Sequence, residues 1–198
     1  MLELIAPTSC AACAGPEGPL CRSCRRGLPS ITWPVAPPDL VRSARALGPY
    51  EGQLGQMLRR AKYGPAEHVT RLLAERLALA TEDLPGALVV PVPQAPFTTL
   101  KRQHEVTLWL AEAVARQHRL PLEEPLRRRG WRRLAGASDA ERAELVRHAF
   151  HASAPVQGEV LLVDDVLTTG ATASACAAEL IDAGASAVHL LVVAARDL

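Results

Sequence analysis

The chain has 198 residues, enough for one full-sized domain with a small appendage, and 48% of them are apolar. Its formal net charge of +1 excludes a protein that is basic throughout and binds nucleic acid through bulk charge. The N-terminal residues lack the basic start and apolar run of a signal peptide, and no apolar stretch reaches the roughly 18 residues of a membrane span. We therefore expect a soluble, cytoplasmic protein without a membrane span.

The cysteines are concentrated near the N-terminus as two Cys-x-x-Cys pairs, formed by Cys10, Cys13, Cys21 and Cys24. Four thiolates at this spacing are typical of a tetrahedral zinc site, and so short a segment cannot build a core of its own. Structural zinc would then supply its folding free energy, on the order of 10 kcal/mol. The alternatives are a disulfide-linked loop, an iron–sulfur site and a redox pair.

Residues 28–38 are rich in proline and predict a stiff, extended connector. We therefore divide the chain into a zinc-binding segment with its connector, residues 1–38, and an α/β domain, residues 39–198.

From residue 41 onward, strand-like segments alternate with segments of helical periodicity. Strands are predicted at 43–50, 87–93, 160–163 and 187–194; helices are predicted at 66–80, 105–117 and 171–183, and from a possible capping box at Ser138 and Glu141 to about Phe150. Cys176 lies on the apolar stripe of its helix and is predicted to be a packed core residue. This alternation predicts an α/β fold with a doubly wound, mostly parallel sheet.

The most informative segment runs from residue 160 to 172. An apolar strand leads to two acids, Asp164 and Asp165, and then to a loop of small and hydroxylated residues: Thr168, Thr169, Gly170, Ala171 and Thr172. Backbone N–H groups at a helix N-terminus, together with threonine hydroxyls, suit a phosphate. The carboxylates suit sugar hydroxyls or a cation. The alternative is an ordinary strand–turn–helix with an aspartate N-cap.

These thirteen residues closely resemble the phosphoribosyl pyrophosphate signature of type I phosphoribosyltransferases. The resemblance implies that Asp164 and Asp165 hydrogen-bond the ribose hydroxyls while the following loop holds the 5-phosphate, with Mg²⁺ bound to the substrate. It also implies a pyrophosphate loop after Pro91-Val92-Pro93, in which Lys101 and Arg102 are candidates to contact the pyrophosphate. The alternative is that these two cations are solvated charges at the start of the next helix.

The cysteine pairs and the signature occur together with three further segments, Tyr50-Glu51-Gly52, Lys62-Tyr63-Gly64 and Pro91-Val92-Pro93. In this combination the chain resembles the ComF (ComFC-like) family of competence-associated proteins. The resemblance implies a role in natural transformation, with single-stranded DNA and proteins of DNA uptake or recombination as partners. Two departures from the family bear on turnover more than on phosphate binding. The family's Arg-Gly-Phe-Asn-Gln motif is replaced by Arg102-Gln103-His104-Glu105-Val106. In a later Arg-x-x-Asn motif, which would begin at Arg142, Leu145 stands in place of Asn.

A basic run surrounds Trp131 and comprises Arg127, Arg128, Arg129, Arg132 and Arg133. Arginines neutralise phosphates and an indole can stack on an unpaired base, so this run predicts contact with single-stranded DNA. The alternatives are a mobile lid over the substrate and a solvated basic loop.

Three functions follow from these motifs. The first is a DNA-uptake factor whose phosphate site binds a phosphoribosyl group or a nucleic-acid end. The second is a working phosphoribosyltransferase in which Asp164 and Asp165 position the ribose and Lys101 or Arg102 stabilises the leaving pyrophosphate. The third is a regulator that senses phosphoribosyl pyrophosphate. A hood over an acceptor base would have to come from residues 41–85, with Lys62 and Tyr63 as candidates.

Overall fold

The structure is a computed structural model that describes residues 9–63, 67–81, 88–94, 105–129 and 148–196. The predictions made for Lys101, Arg102, Trp131, Arg132, Arg133 and the capping box lie outside these residues. The end of the helix predicted from Ser138 is wrong, because Phe150 begins a strand instead.

Five strands form the main sheet: β1 Trp33–Val35, β2 Ser43–Pro49, β3 Leu88–Pro91, β6 Gly158–Leu167 and β7 Ala185–Ala195. Their order is β1-β2-β7-β6-β3; β1 runs antiparallel to β2, and the other pairs are parallel. Two short strands, β4 Leu126–Arg128 and β5 Phe150–Ala152, form a separate antiparallel ribbon. The predicted mostly parallel α/β sheet is confirmed.

In the described residues, five helices accompany the strands: α1 Arg22–Gly27, α2 Gly52–Tyr63, α3 Glu67–Ala80, α4 Val106–His118 and α5 Ala171–Asp182. Buried residues of α2, α3 and α4 share a core with Leu161 and Val163 of β6. Buried residues of α5 and of the β4–β5 ribbon share a second core with Val160 and Leu162. Successive side chains of a strand point to opposite faces, so the sheet is buried on both sides, as a continuous apolar strand predicts.

Helix α2 was not predicted from the sequence. Gly52 and Gly55 lower its intrinsic helix propensity, so its local signal is weak. Four of its apolar residues nevertheless follow helical spacing and are buried: Leu54, Met57, Leu58 and Ala61. This stripe was the available signal, and its burial against the sheet stabilises the helix.

The N-terminal segment packs directly on the α2 and α3 side of the sheet. Cys10, Cys24 and Leu20 belong to the same buried cluster as the residues of those helices. The proline-rich connector contributes β1, and the Thr32 amide donates to the carbonyl of Ala80 at the end of α3. The connector therefore extends the sheet, while the boundary at residue 38 stays a prediction.

Within the described part of the chain, every helix is too short or too polar to cross a bilayer.

Candidate functional site

The predicted phosphate loop lies at the carboxyl edge of the sheet, between the end of β6 and the start of α5. In α/β sheets this edge is where ligands bind. A cavity there is lined by Asp164 together with three residues of the loop, Thr168, Gly170 and Thr172, and by Leu190 and Val192 of β7. The structure thus brings one acid of the signature and its loop to the same cavity.

The two acids of the signature point to opposite faces of the sheet. The predicted strand ended before them, but β6 continues through both and pairs with β7 as far as Leu167. Side chains therefore alternate, so Asp164 faces the α5 side with the cavity and Asp165 faces the α2 side. There Asp165 is buried, and its Oδ2 lies 2.8 Å from the Nζ of Lys62.

Asp164 is held in an environment that disfavours its charge. Burial and the adjacent Asp165 carboxylate raise its pKa to about 7, although the Asp165 amide, Lys62 and Arg128 act in the opposite direction. The Asp165 amide donates to its Oδ1 at 2.8 Å. Near neutral pH this carboxyl therefore exists in both protonated and ionised forms, so a small change in its surroundings shifts its charge.

Gly170 defines the geometry of the loop. It is the N-cap of α5 with φ of 79°, in the left-handed region that favours glycine. A Cβ at this position would lie 2.5 Å from the Cβ of Pro38, so the connector packs directly against the loop. The first amides of α5 have no acceptor within the helix, and Thr168 and Thr169 are exposed beside them. Backbone donors, hydroxyls and the positive end of the helix therefore converge at this point.

The three arginines of the basic run that the structure describes do not share one surface. Arg127 and Arg129 are exposed, whereas Arg128 is half-buried with its guanidinium 5.2 Å from the centre of the Phe150 ring. Burial lowers the pKa of Arg128, and interactions with Cys176 and Asp164 partly oppose that change. Because side chains alternate along β4, Arg128 lies on the same side as Leu126 of the second core, and its two neighbours face solvent.

Two contacts at this edge were not predicted. Lys62 was predicted as a candidate hood residue and as part of a family segment, yet it is the ion-pair partner of Asp165. The packing of Pro38 on Gly170 joins residues far apart in the chain. No local pattern reports either contact, because each depends on how the layers stack.

The end of β3 lies beside the site. The amide of Val92 donates to the carbonyl of Val163 at 2.9 Å, so Pro91-Val92-Pro93 runs next to the residue before Asp164. This is the position from which a pyrophosphate loop would start.

A candidate metal centre lies in the N-terminal segment. The Sγ atoms of its four cysteines all lie within 4.8 Å of one another, and those of Cys13 and Cys21 are 3.9 Å apart. Sulfurs about 2.3 Å from a tetrahedral zinc ion would be about 3.8 Å apart. The cluster is compatible with structural zinc bound by Cys10, Cys13, Cys21 and Cys24.

The surroundings of the cluster also suit thiolate ligands. The amides of Cys21 and Cys24 donate to the sulfurs of Cys10 and Cys21, each at 3.4 Å. Burial would raise the pKa of Cys10, but backbone hydrogen bonds outweigh it and lower the pKa to about 6. Burial and the neighbouring sulfurs raise the pKa of Cys24 to about 12, so a bound cation would favour the thiolate form of this residue.

Helix α2 connects the cysteine cluster to the carboxyl edge. Near its start, the Nε2 of Gln53 donates to the Sγ of Cys24 at 3.4 Å, and in its last turn the guanidinium of Arg60 donates to the carbonyl of Cys10. Near its end, Lys62 pairs with Asp165. One helix thus contacts both candidate sites.

No family model matches the chain, and no curated protein matches it. Among solved structures, it is similar to glutamine phosphoribosylpyrophosphate amidotransferase from B. subtilis complexed with ADP and GMP, at 25% identity over 62% of this chain and 25% of that chain, with a TM-score of 0.44. For UMP synthase from Leishmania donovani the identity is 24% over 71% of this chain and 25% of that chain, with a TM-score of 0.42. For orotate phosphoribosyltransferase from Aeropyrum pernix it is 20% over 74% of this chain and 67% of that chain, with a TM-score of 0.39. The chain spans 25% of the length of the first two structures, and a likeness of this extent does not by itself assign it to a family.

Proposed function

We propose that the carboxyl edge of the sheet binds phosphoribosyl pyrophosphate, or a related sugar phosphate, together with Mg²⁺. The 5-phosphate would lie over the first amides of α5, held by Thr168, Thr169, Gly170, Ala171 and Thr172. The observation that carries the proposal is that Asp164 and the loop line one cavity at this edge. Amides that lack an intrahelical acceptor and the helix dipole both favour an anion there.

The ribose would lie beside Asp164. Hydroxyl groups of a sugar donate to an ionised carboxylate, and a carboxyl with a pKa of about 7 can be ionised fully when such donors arrive. Asp165 acts from the opposite face of β6, where its ion pair with Lys62 ties α2 to the site. Mg²⁺ bound with the substrate would neutralise part of its phosphate charge and would need few protein ligands.

A transferase reaction is the catalytic form of this proposal. Pyrophosphate would leave carbon 1 of the ribose as an acceptor attacks it, and Lys101 or Arg102 would stabilise the leaving group. The proximity of Val92 to Val163 supports a substrate that spans the ends of β3 and β6. Release of pyrophosphate in the presence of Mg²⁺ and a panel of free bases is the measurement that checks turnover.

Binding is tested by calorimetric titration of the whole chain with phosphoribosyl pyrophosphate and Mg²⁺. Asp164→Asn removes the negative charge but keeps the size of the side chain, and we expect affinity to fall about tenfold or more. The matched control is Asp182→Asn, an exposed aspartate at the far end of α5. Equal affinities for wild type and Asp164→Asn would contradict the proposed role of this acid.

We further propose the role that the ComF resemblance implies, the handling of single-stranded DNA in natural transformation. Arg127 and Arg129 support it, because both are exposed at a ribbon that packs against α5, the helix that begins at the phosphate loop. We expect binding of a single-stranded oligonucleotide to weaken steeply with salt and to fall on Trp131→Ala. Oligonucleotide binding that is unaffected by salt and by Trp131→Ala would contradict this role.

A sensor of phosphoribosyl pyrophosphate is the remaining alternative. It predicts stabilisation of the chain by the sugar phosphate without pyrophosphate release and without DNA binding. Thermal unfolding with and without the ligand, measured beside the two assays above, separates the three functions.

A further inference from the structure

Two arginines are held against one tyrosine beside the proposed phosphate site. The guanidinium carbon of Arg59 lies 6.0 Å from the centre of the Tyr50 ring, and that of Arg196 lies 5.9 Å from it. Tyr50 is half-buried, whereas both arginines are exposed. We call these three residues the Tyr50 cluster.

The Tyr50 cluster adjoins the phosphate loop through backbone hydrogen bonds. Tyr50 follows β2, and its amide donates to the carbonyl of Ala195 at 2.8 Å. Arg196 follows β7, and its amide donates at 3.0 Å to the carbonyl of Leu167, the residue before Thr168. Neighbouring strands lie about 5 Å apart. Arg196, after β7, is therefore one strand away from the loop, and Tyr50, after β2, is two strands away from it.

The cluster also borders the Asp165 side of the site. Arg59 precedes Lys62 by three residues on α2, so the two side chains share one face of that helix. Gly55 leaves room for Arg59 there: a Cβ at residue 55 would lie 3.3 Å from the Nη1 of Arg59 and 2.0 Å from the carbonyl oxygen of Tyr50.

The two guanidinium groups retain unused donors. Among the residues that the structure describes, neither has a carboxylate partner, and the neighbouring Glu51 is exposed. A guanidinium that stacks on an aromatic ring keeps its N–H groups directed along its edge. Two such edges can receive a phosphate, which binds arginine through paired hydrogen bonds.

We infer that the Tyr50 cluster is a second phosphate subsite, which binds the phosphate that follows the 5-phosphate of a bound phosphoribosyl group. The inference rests on the proposed function. β6 lies between β7 and β3, so this subsite is on the opposite side of the 5-phosphate loop from the end of β3, where the pyrophosphate of carbon 1 is expected. The ligand class is therefore a nucleotide whose 5-phosphate continues into another phosphate, either as a nucleoside diphosphate or as the phosphodiester backbone of a single strand.

The test compares cytidine 5′-monophosphate, cytidine 5′-diphosphate and a 5′-phosphorylated single-stranded tetranucleotide, each titrated against the whole chain by calorimetry at one salt concentration. We expect wild type to bind the diphosphate or the tetranucleotide about tenfold more tightly than the monophosphate. Arg59→Gln and Arg196→Gln should each reduce that ratio severalfold. The matched control is Arg71→Gln, since Arg71 is exposed and lies over a different aromatic ring, that of Trp109, at 4.5 Å from its centre.

The three ligands distinguish the two possible sources of the second phosphate, a nucleoside diphosphate and a single strand. If the two arginine variants lower the affinity ratio for the diphosphate alone, the ligand is a small nucleotide. If they lower it for the tetranucleotide alone, the ligand is a single strand. A ratio near one in wild type, or a ratio that Arg71→Gln lowers as much as the other variants do, overturns the inference. Equal binding of all three ligands that still depends on Asp164 overturns the inference but leaves the proposed function standing. Failure of every ligand, and of phosphoribosyl pyrophosphate, to bind overturns both.

Discussion

At Asp164, burial and the Asp165 carboxylate both oppose ionisation, and the pKa rises to about 7. The unfolded chain has the ordinary aspartate value near 4, so between about pH 4 and 7 the folded state binds the proton more tightly. This residue therefore stabilises the fold less and less as pH rises through that window.

We predict that Asp164→Asn removes this pH dependence. The free energy of unfolding of the variant should therefore increase relative to that of wild type, by roughly 1–2 kcal/mol between pH 5 and pH 8, a value reduced for partial solvent contact. Urea unfolding across that range measures it. A difference between Asp164→Asn and wild type that is constant with pH would refute the assignment.

At the scale of the elements, the proline-rich connector contacts the phosphate loop where Pro38 packs against Gly170. Gly170 and Gly158 have nearly the same positive φ, 79° and 78°, but a Cβ at Gly170 would collide with Pro38, whereas a Cβ at Gly158 would meet nothing within 4 Å. A substitution of Gly158 therefore tests backbone strain alone, whereas a substitution of Gly170 tests backbone strain together with steric contact.

We predict that Gly158→Ala lowers the free energy of unfolding by about 1 kcal/mol, from backbone strain alone. Gly170→Ala should cost about 1–3 kcal/mol more, because the loop or Pro38 must also move. It should weaken binding of phosphoribosyl pyrophosphate as well. Pro38→Gly in the Gly170→Ala background should recover part of that binding. Equal costs for the two glycine variants would show that the Pro38 contact is unimportant.

At the scale of the whole molecule, the four-cysteine segment forms part of the core on one side of the sheet. Cys10, Cys24 and Leu20 are buried with residues of α2 and α3, and Gln53 and Arg60 of α2 contact the cluster. Loss of a metal at this cluster would therefore affect α2 and, through Lys62, the carboxyl edge.

We predict one zinc ion per chain, measured by elemental analysis of the purified protein. Cys13→Ser should lose the metal, although Cys13 is exposed, and lower stability by several kcal/mol because metal binding supplies folding free energy. Cys176→Ala removes a buried thiol of the other core and should keep the zinc. Retention of zinc by Cys13→Ser would contradict the four-cysteine site.

The signals that predicted the fold were local and strong. Buried parallel strands read as continuous apolar runs, and β3, β6 and β7 were found for that reason. Helices α3, α4 and α5 were found through their apolar periodicity, whereas α2 was missed because two glycines weaken its local signal. Strand β1 was missed because it lies in a proline-rich segment and forms by pairing with β2, a contact that no local sequence pattern indicates.

For the site, the sequence by itself determined the residue types and their order: two acids at the end of a strand, a loop of threonines and glycine, and four cysteines at metal-binding spacing. Only the tertiary structure decided that Asp164 shares a cavity with the loop while Asp165 pairs with Lys62, and that Arg59 and Arg196 meet on Tyr50. The physical reason is that spacing along a chain specifies local geometry, whereas side-chain partners and charge states depend on which layers stack and on how far a strand extends.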